Sequence, residues 1–170
     1  MIHLEAITWD NLPAIQNLTI PKAQQAFVQT ISTFLAQSYV NLKSGFQDES
    51  LAVYDDDTLI GYAKLVFVPK GEEVYDMPTD SFMIDALIID QAHQGKGYGK
   101  PIMDALVKLV GTLMHSDKDK LSLVIFDDNE RAIRLPRGCG FTFLKKRNTK
   151  KPMSVYTMNM DGSKLSFSDG

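Results

Sequence analysis

Apolar and polar residues alternate over positions 2–8, the period of a half-buried strand. Asp10 and Asn11 then precede Leu12, Ile15 and Leu18, which fall on one face of a short helix. Pro21 opens a longer helix in which Phe27, Ile31, Phe34, Leu35 and Tyr39 recur at helical spacing to about Leu42, with Gly45 to end it. Residues 51–54 and 59–68 are apolar runs around Asp55-Asp56-Asp57-Thr58, the composition of a hairpin. A loop over 69–80 with Gly71 and Pro78 leads to a strand over 82–89. Beyond it the pattern predicts a helix from Pro101, a polar turn over 115–120, a buried strand over 121–126 and a helix from Asp128-Asn129. Pro136 should stop that helix near Leu135, because it has no N–H for the carbonyl four residues back. The chain closes on a hairpin of 140–144 and 154–160 whose connection carries Lys145, Lys146, Arg147, Lys150 and Lys151. Strands on either side of the Pro101 helix should be parallel neighbours with a right-handed crossover. The fold class is therefore α/β, a mixed sheet flanked by helices, and an exposed edge on the final strand would allow a homodimer.

A length of 170 residues, 44% of them apolar and 23% charged, suits one domain over 1–160, with 161–170 a disordered tail. The single cysteine, Cys139, cannot close an internal disulfide and reads as a small buried hydrophobe in a reducing compartment. No basic stretch followed by an apolar run suggests a secretory leader, and no apolar run is long enough for a membrane span, so a cytoplasmic protein without membrane partners is expected. His3, His93 and His115 are too scattered to suggest a metal site. The net charge of −3 conceals an asymmetry: residues 48–90 contain eleven carboxylates against Lys64 and Lys70. An acidic solvated face explains this most simply. A cleft of that sign would also draw in cationic amines and repel nucleic acid.

Chemistry concentrates where the strand over 82–89 runs through Gln94-Gly95-Lys96-Gly97-Tyr98-Gly99-Lys100 into the Pro101 helix. Alternate glycines permit positive φ and close approach of a ligand, and the first N–H groups of a helix face an anion with the positive end of the dipole behind them. Lys96 and Lys100 add cationic charge. There is no Gly-Lys-Ser/Thr ending to hold magnesium, as in a Walker loop, and the spacing is not that of a dinucleotide turn. By itself the segment could equally be a turn without a ligand, or a nucleotide-binding module using the same glycines.

Gln94-Gly95-Lys96-Gly97-Tyr98-Gly99 resembles the acetyl-CoA pyrophosphate loop of the GNAT N-acetyltransferase superfamily, and Asn129-Glu130-Arg131-Ala132-Ile133-Arg134-Leu135 with Gly140-Phe141 is similar to a second block of that family. The resemblance extends from about Ile2 to Met160. It implies a central mixed sheet that splays, acetyl-CoA as co-substrate on Gln94 to Lys100, pantetheine held by the main chain of Leu87, Ile88 and Ile89, and Asn129 within reach of the cofactor. The region after Pro21 would form the substrate side of the cleft. The hairpin 51–62 and Gln24-Gln25-Ala26-Phe27-Val28 look similar to bacterial polyamine (spermine/spermidine) N-acetyltransferases, which fits the acidic segment.

Amine acetylation needs a neutral nitrogen and a proton for the departing thiolate. An ammonium with a solution pKa near 10 must first lose a proton. Asp85 lies close to where the family often places a carboxylate and is the candidate acceptor, although pairing with a lysine would explain it equally well; Glu72, Glu73 and Asp80 are looser candidates. The family's acidic tyrosine follows the leucine of the second block, where this chain has Pro136. Tyr156 or Tyr98 could substitute, water could protonate the thiolate, or catalysis could be lost. The last case defines the alternative, a non-catalytic acyl-CoA-binding sensor.

Overall fold

The computed structural model describes residues 1–115, 119–147 and 149–160. The centre of the polar turn, 116–118, and the tail expected to be disordered, 161–170, lie outside the described residues. Seven strands form one mixed sheet in the order β1-β2-β3-β4-β5-β7-β6, flanked by helices. The chain divides into two compact units, one of residues 1–66 and 84–105, the other of 67–83 and 106 onward.

In the first unit β1 (Ile2–Ala6), β2 (Asp48–Asp55) and β3 (Thr58–Val68) form an antiparallel meander with Leu4 opposite Val53 and Ala52 opposite Tyr62. The β2–β3 turn has only Asp56 and Asp57 between paired residues, and Asp56 takes φ 49°, which a tight hairpin demands and an aspartate tolerates. Val53 faces Gly61 while Tyr54 faces Leu59, so β3 carries Ile60 as an extra, bulged residue. The Ile60 carbonyl accepts from Asp90 N–H (2.8 Å) just beyond β4 (Ser81–Ile89), and a Cβ on Gly61 would lie 2.3 Å from the Ile88 carbonyl oxygen. Only glycine permits that approach.

Helix α1 (Leu12–Gln16) ends before Leu18, and Asn11 turns its amide back to Ala6 O (3.0 Å) and Thr8 N (2.8 Å) instead of capping it. The longer helix, α2 (Ile31–Lys43), begins ten residues after Pro21: Thr30 caps it by accepting from Thr33 N–H (3.2 Å), and Phe27 falls in the preceding segment. Ile31, Phe34 and Ser38 are its buried stripe. Tyr39, expected in the core, is rotated about 100° from that stripe and is exposed, as are Val40 and Leu42. Ile15, Ile31, Phe34, Ala52, Tyr62, Ala86 and Ile88 form the core, with Phe34 stacked on Tyr62.

In the second unit β5 (Lys120–Phe126) and β7 (Met153–Asn159) pair antiparallel, with Leu123 opposite Tyr156, and β6 (Thr142–Arg147) pairs with the other edge of β7. The last of the described strands is therefore interior, and the sheet edge on this side belongs to β6. Lys145, Lys146 and Arg147, expected in the connection, extend β6 because each finds an anchor: Asp76, Asp127 and the Val74 carbonyl respectively. Helix α3 (Gly99–Leu113) starts two residues before Pro101, which a first turn accommodates without losing a bond. Helix α4 (Glu130–Gly138) continues through Pro136 instead of stopping at Leu135. The missing N–H falls so near the end of the helix that only a short stretch follows, and the Pro136 carbonyl takes the terminal bonds from Cys139 N and Phe141 N (both 3.0 Å).

Candidate functional site

Asp90 fixes the entry to the glycine loop. Its Oδ1 accepts from Thr19 N (2.7 Å) and Thr19 Oγ1 (3.0 Å), and its Oδ2 from Ala92 N (3.0 Å). Burial pushes the Asp90 carboxyl up, but these donors outweigh it and hold the group below the usual carboxylate range. Gln91 N–H returns a bond to the Thr19 carbonyl (2.9 Å). Gln94 is a pin: its Nε2 donates to Ile89 O (2.9 Å) and Gln24 Oε1 (3.0 Å), and its Oε1 accepts from Gln24 Nε2 (2.8 Å). Tyr98 anchors the far side by donating to Asp55 Oδ2 (2.8 Å); that bond, with burial second, raises its pKa.

Between these pins Gly95 (φ 76°) and Gly97 (φ 81°) take the left-handed conformation, and a Cβ on either would meet nothing within 4 Å. Their need for glycine is conformational, whereas Gly99 is simply the first residue of α3. Lys96 and Lys100 are exposed, the latter beside Asp104 (3.0 Å). Among the described residues no protein acceptor takes the N–H of Gly95, Lys96, Gly97 or Tyr98. Amides presented this way at the start of a fifteen-residue helix can receive an anion.

Along β4, Ala86 and Ile88 are buried while Asp85, Leu87 and Ile89 are partly exposed. Asp85 Oδ2 lies 2.6 Å from Lys64 Nζ, and Lys64 also reaches Asp48 Oδ2 (3.3 Å). Sequence reasoning gave Lys64 no role. The available signal was a lysine inside an apolar strand, Ala63-Lys64-Leu65, where an ammonium must find a partner. The looser carboxylates serve local turns: Glu72 Oε2 accepts from Val74 N and Tyr75 N (both 3.0 Å), and Asp80 Oδ1 from Lys70 N (2.8 Å). In the second unit Tyr156 is 4% exposed with its ring edge-on to Phe143. Asn129 is the N-cap of α4, its Oδ1 accepting from Ala132 N (3.3 Å).

The model of the acetyltransferase (GNAT) family matches residues 12–141. The chain belongs to this family. As a GNAT acetyltransferase it takes an acetyl group from acetyl-CoA and passes it to an amine. The spermine/spermidine N(1)-acetyltransferase of Bacillus subtilis (strain 168) is 30% identical over 142 residues, covering 84% of this chain and 88% of that protein. A probable spermine N(1)-acetyltransferase of Bacillus subtilis subsp. natto matches to the same extent. Among solved structures, a spermidine N-acetyltransferase from Vibrio cholerae in complex with CoA and spermine superposes with a TM-score of 0.67 at 18% identity, covering 94% of this chain and 95% of that one. That likeness establishes the GNAT fold. None of these likenesses favours the non-catalytic alternative.

Proposed function

We propose that the protein acetylates a primary amine of a polyamine, binding acetyl-CoA through the loop from Gln94 to Lys100. The substrate class is supported by the 30% identity to a spermine/spermidine N(1)-acetyltransferase over 84% of the chain. For the cofactor, the supporting observation is the row of amides at residues 95–98 without acceptors among the described residues, a row that includes two glycines in the left-handed conformation. These suit a diphosphate, with Lys96 and Lys100 adding charge. Gln94 contributes by holding the loop through Ile89 and Gln24, and Tyr98 by its bond to Asp55. The main chain of Leu87, Ile88 and Ile89 would take the pantetheine amides, and Asn129 would approach the cofactor from the start of α4.

In the reaction we assign, the substrate ammonium gives a proton to Asp85, the freed lone pair attacks the thioester carbonyl, and the nitrogen sheds its second proton to solvent as the carbon–sulfur bond breaks. Tyr156 gives a proton to the thiolate and is reprotonated from solvent. Tyr156 is preferred over Tyr98, whose hydroxyl is committed to Asp55, and Pro136 has no proton to offer. Transfer is direct within a ternary complex and needs no metal or covalent intermediate. A lone cysteine, Cys139, and the absence among the described residues of any helix long and apolar enough to cross a membrane support a cytoplasmic setting.

Steady-state release of CoA thiol, measured with spermidine, spermine, simple monoamines and amino acids, tests this reading. Turnover should be fastest with the polyamines. Binding of CoA by calorimetry with no turnover on any amine would instead return the sensor reading.

A further inference from the structure

The side chain of Lys64 is 2% exposed and that of Asp48 0%, whereas Asp85 reaches 20%. The three form a line from the interior of the first unit towards solvent. Asp48 is also met by Ser38 Oγ at Oδ1 (2.6 Å) and by Asn41 Nδ2 at the Oδ2 that Lys64 approaches (2.7 Å), so three donors converge on one carboxylate. Because Ser38 gives its proton to Asp48, it must accept from Ser50 (2.9 Å), and Ser50 in turn from Tyr62 (2.9 Å). Every hydroxyl in this row points its hydrogen towards Asp48, and α2, β2 and β3 all contribute to the network.

Holding these elements together does not require such an arrangement. Buried ion pairs contribute little net stability compared with well-packed apolar residues of the same volume, because both charges lose their hydration. What an apolar set could not do is orient a carboxylate on β4. Asp85 is the member of the line with most access to solvent, and it lies two residues from Leu87, roughly 7 Å along the strand.

We propose that Lys64 is a positioning residue for acetyl transfer: clamped by Asp48, it holds the Asp85 carboxylate in the orientation that receives the proton of the substrate amine. The inference rests on the reading of Asp85 as proton acceptor. Lys64 keeps its own protons throughout. The nitrogen–hydrogen bond of the substrate breaks, and the proton rests on Asp85 and leaves to solvent from its exposed side before the next turnover.

The test is a mutant cycle read as kcat and KM for spermidine at saturating acetyl-CoA, with calorimetric CoA binding and a urea midpoint for each variant. Asp85→Asn should lower kcat on the order of 10²-fold or more. Lys64→Met should lower kcat on the order of 10²-fold, the size expected when a reacting group is misplaced, with CoA binding unchanged. Lys64→Arg should recover part of that loss. In the Asp85→Asn background Lys64→Met should add almost nothing. Should Lys64→Met fail to fold, the Asp48→Asn/Lys64→Met double variant removes the stranded charge and should show the same kcat loss.

Wild-type kcat in a folded Lys64 variant that loses the ammonium, while Asp85→Asn is impaired, overturns the positioning role and leaves Asp85 as acceptor. An undiminished Lys64→Met loss in the Asp85→Asn background overturns it too, since the effect would then be structural. Wild-type kcat in Asp85→Asn removes the acceptor reading and this inference with it.

Discussion

The network around Asp48 is where single residues decide most. Removing Lys64 leaves a carboxylate with 0% side-chain exposure facing Ser38 and Asn41 without its counter-charge. Lys64→Met should therefore destabilise the protein by about 3–5 kcal/mol in urea unfolding, and Asp48→Asn added to it should restore most of that loss. Tyr62, at the other end of the row, titrates near pH 12, raised chiefly by burial. Its folded value lies above its unfolded one, so its contribution is complete below about pH 10 and disappears as pH rises towards 12. A Tyr62→Phe variant should lose less stability than the wild type between those values when their unfolding midpoints are compared. None of this was legible beforehand beyond the oddity of a lysine in an apolar run. Ser38, Asp48, Ser50 and Tyr62 each look ordinary on their own, and what joins them is a register that periodicity does not specify.

At the scale of elements, strands and helices followed from hydrophobic period, and their ends followed from side chains that the period does not see. Thr30 started α2 where Pro21 had been expected to, and anchors on Asp76, Asp127 and Val74 carried β6 through three basic residues. The proline in α4 was tolerated because it came late in a helix whose last carbonyls it could itself close. Spacing and order alone left the glycine loop open between a candidate anion site and a turn without a ligand, and the division of labour within it was not legible. Gly95 and Gly97 supply the backbone conformation, Gly99 supplies a helix start, and Gln94 serves as a brace. Gly97→Ala meets no steric obstacle, so its cost is the left-handed backbone, about 1–2 kcal/mol. It should raise the KM for acetyl-CoA while leaving the KM for the amine unchanged, which bisubstrate kinetics would resolve.

For the molecule as a whole, two motifs in the right order were enough to foretell the GNAT fold and its chemistry, whereas charge alone was ambiguous. Many carboxylates of the acidic segment have structural work: Asp90, Glu72 and Asp80 accept from main-chain amides, and Asp76 meets Lys145. An amide is a neutral donor, however, and bonding to it leaves the negative charge in place. Only a cation offsets it, and residues 48–90 hold two lysines against eleven carboxylates. The KM for spermidine should accordingly rise with added sodium chloride up to about 0.5 M, where the screening length falls to a few ångströms, with kcat little changed. A flat salt response would mean that this field does not guide the substrate.

The bonds joining Thr19 to Asp90 and Gln91, and Gln24 to Gln94, tie the glycine loop to a stretch of chain about seventy positions earlier. Any ligand that quiets one partner must quiet the other, because opening either requires breaking the same bonds. Saturation with acetyl-CoA should therefore slow deuterium uptake at the Thr19 and Gln91 amides together. Residues 19–24 would then report occupancy of the glycine loop.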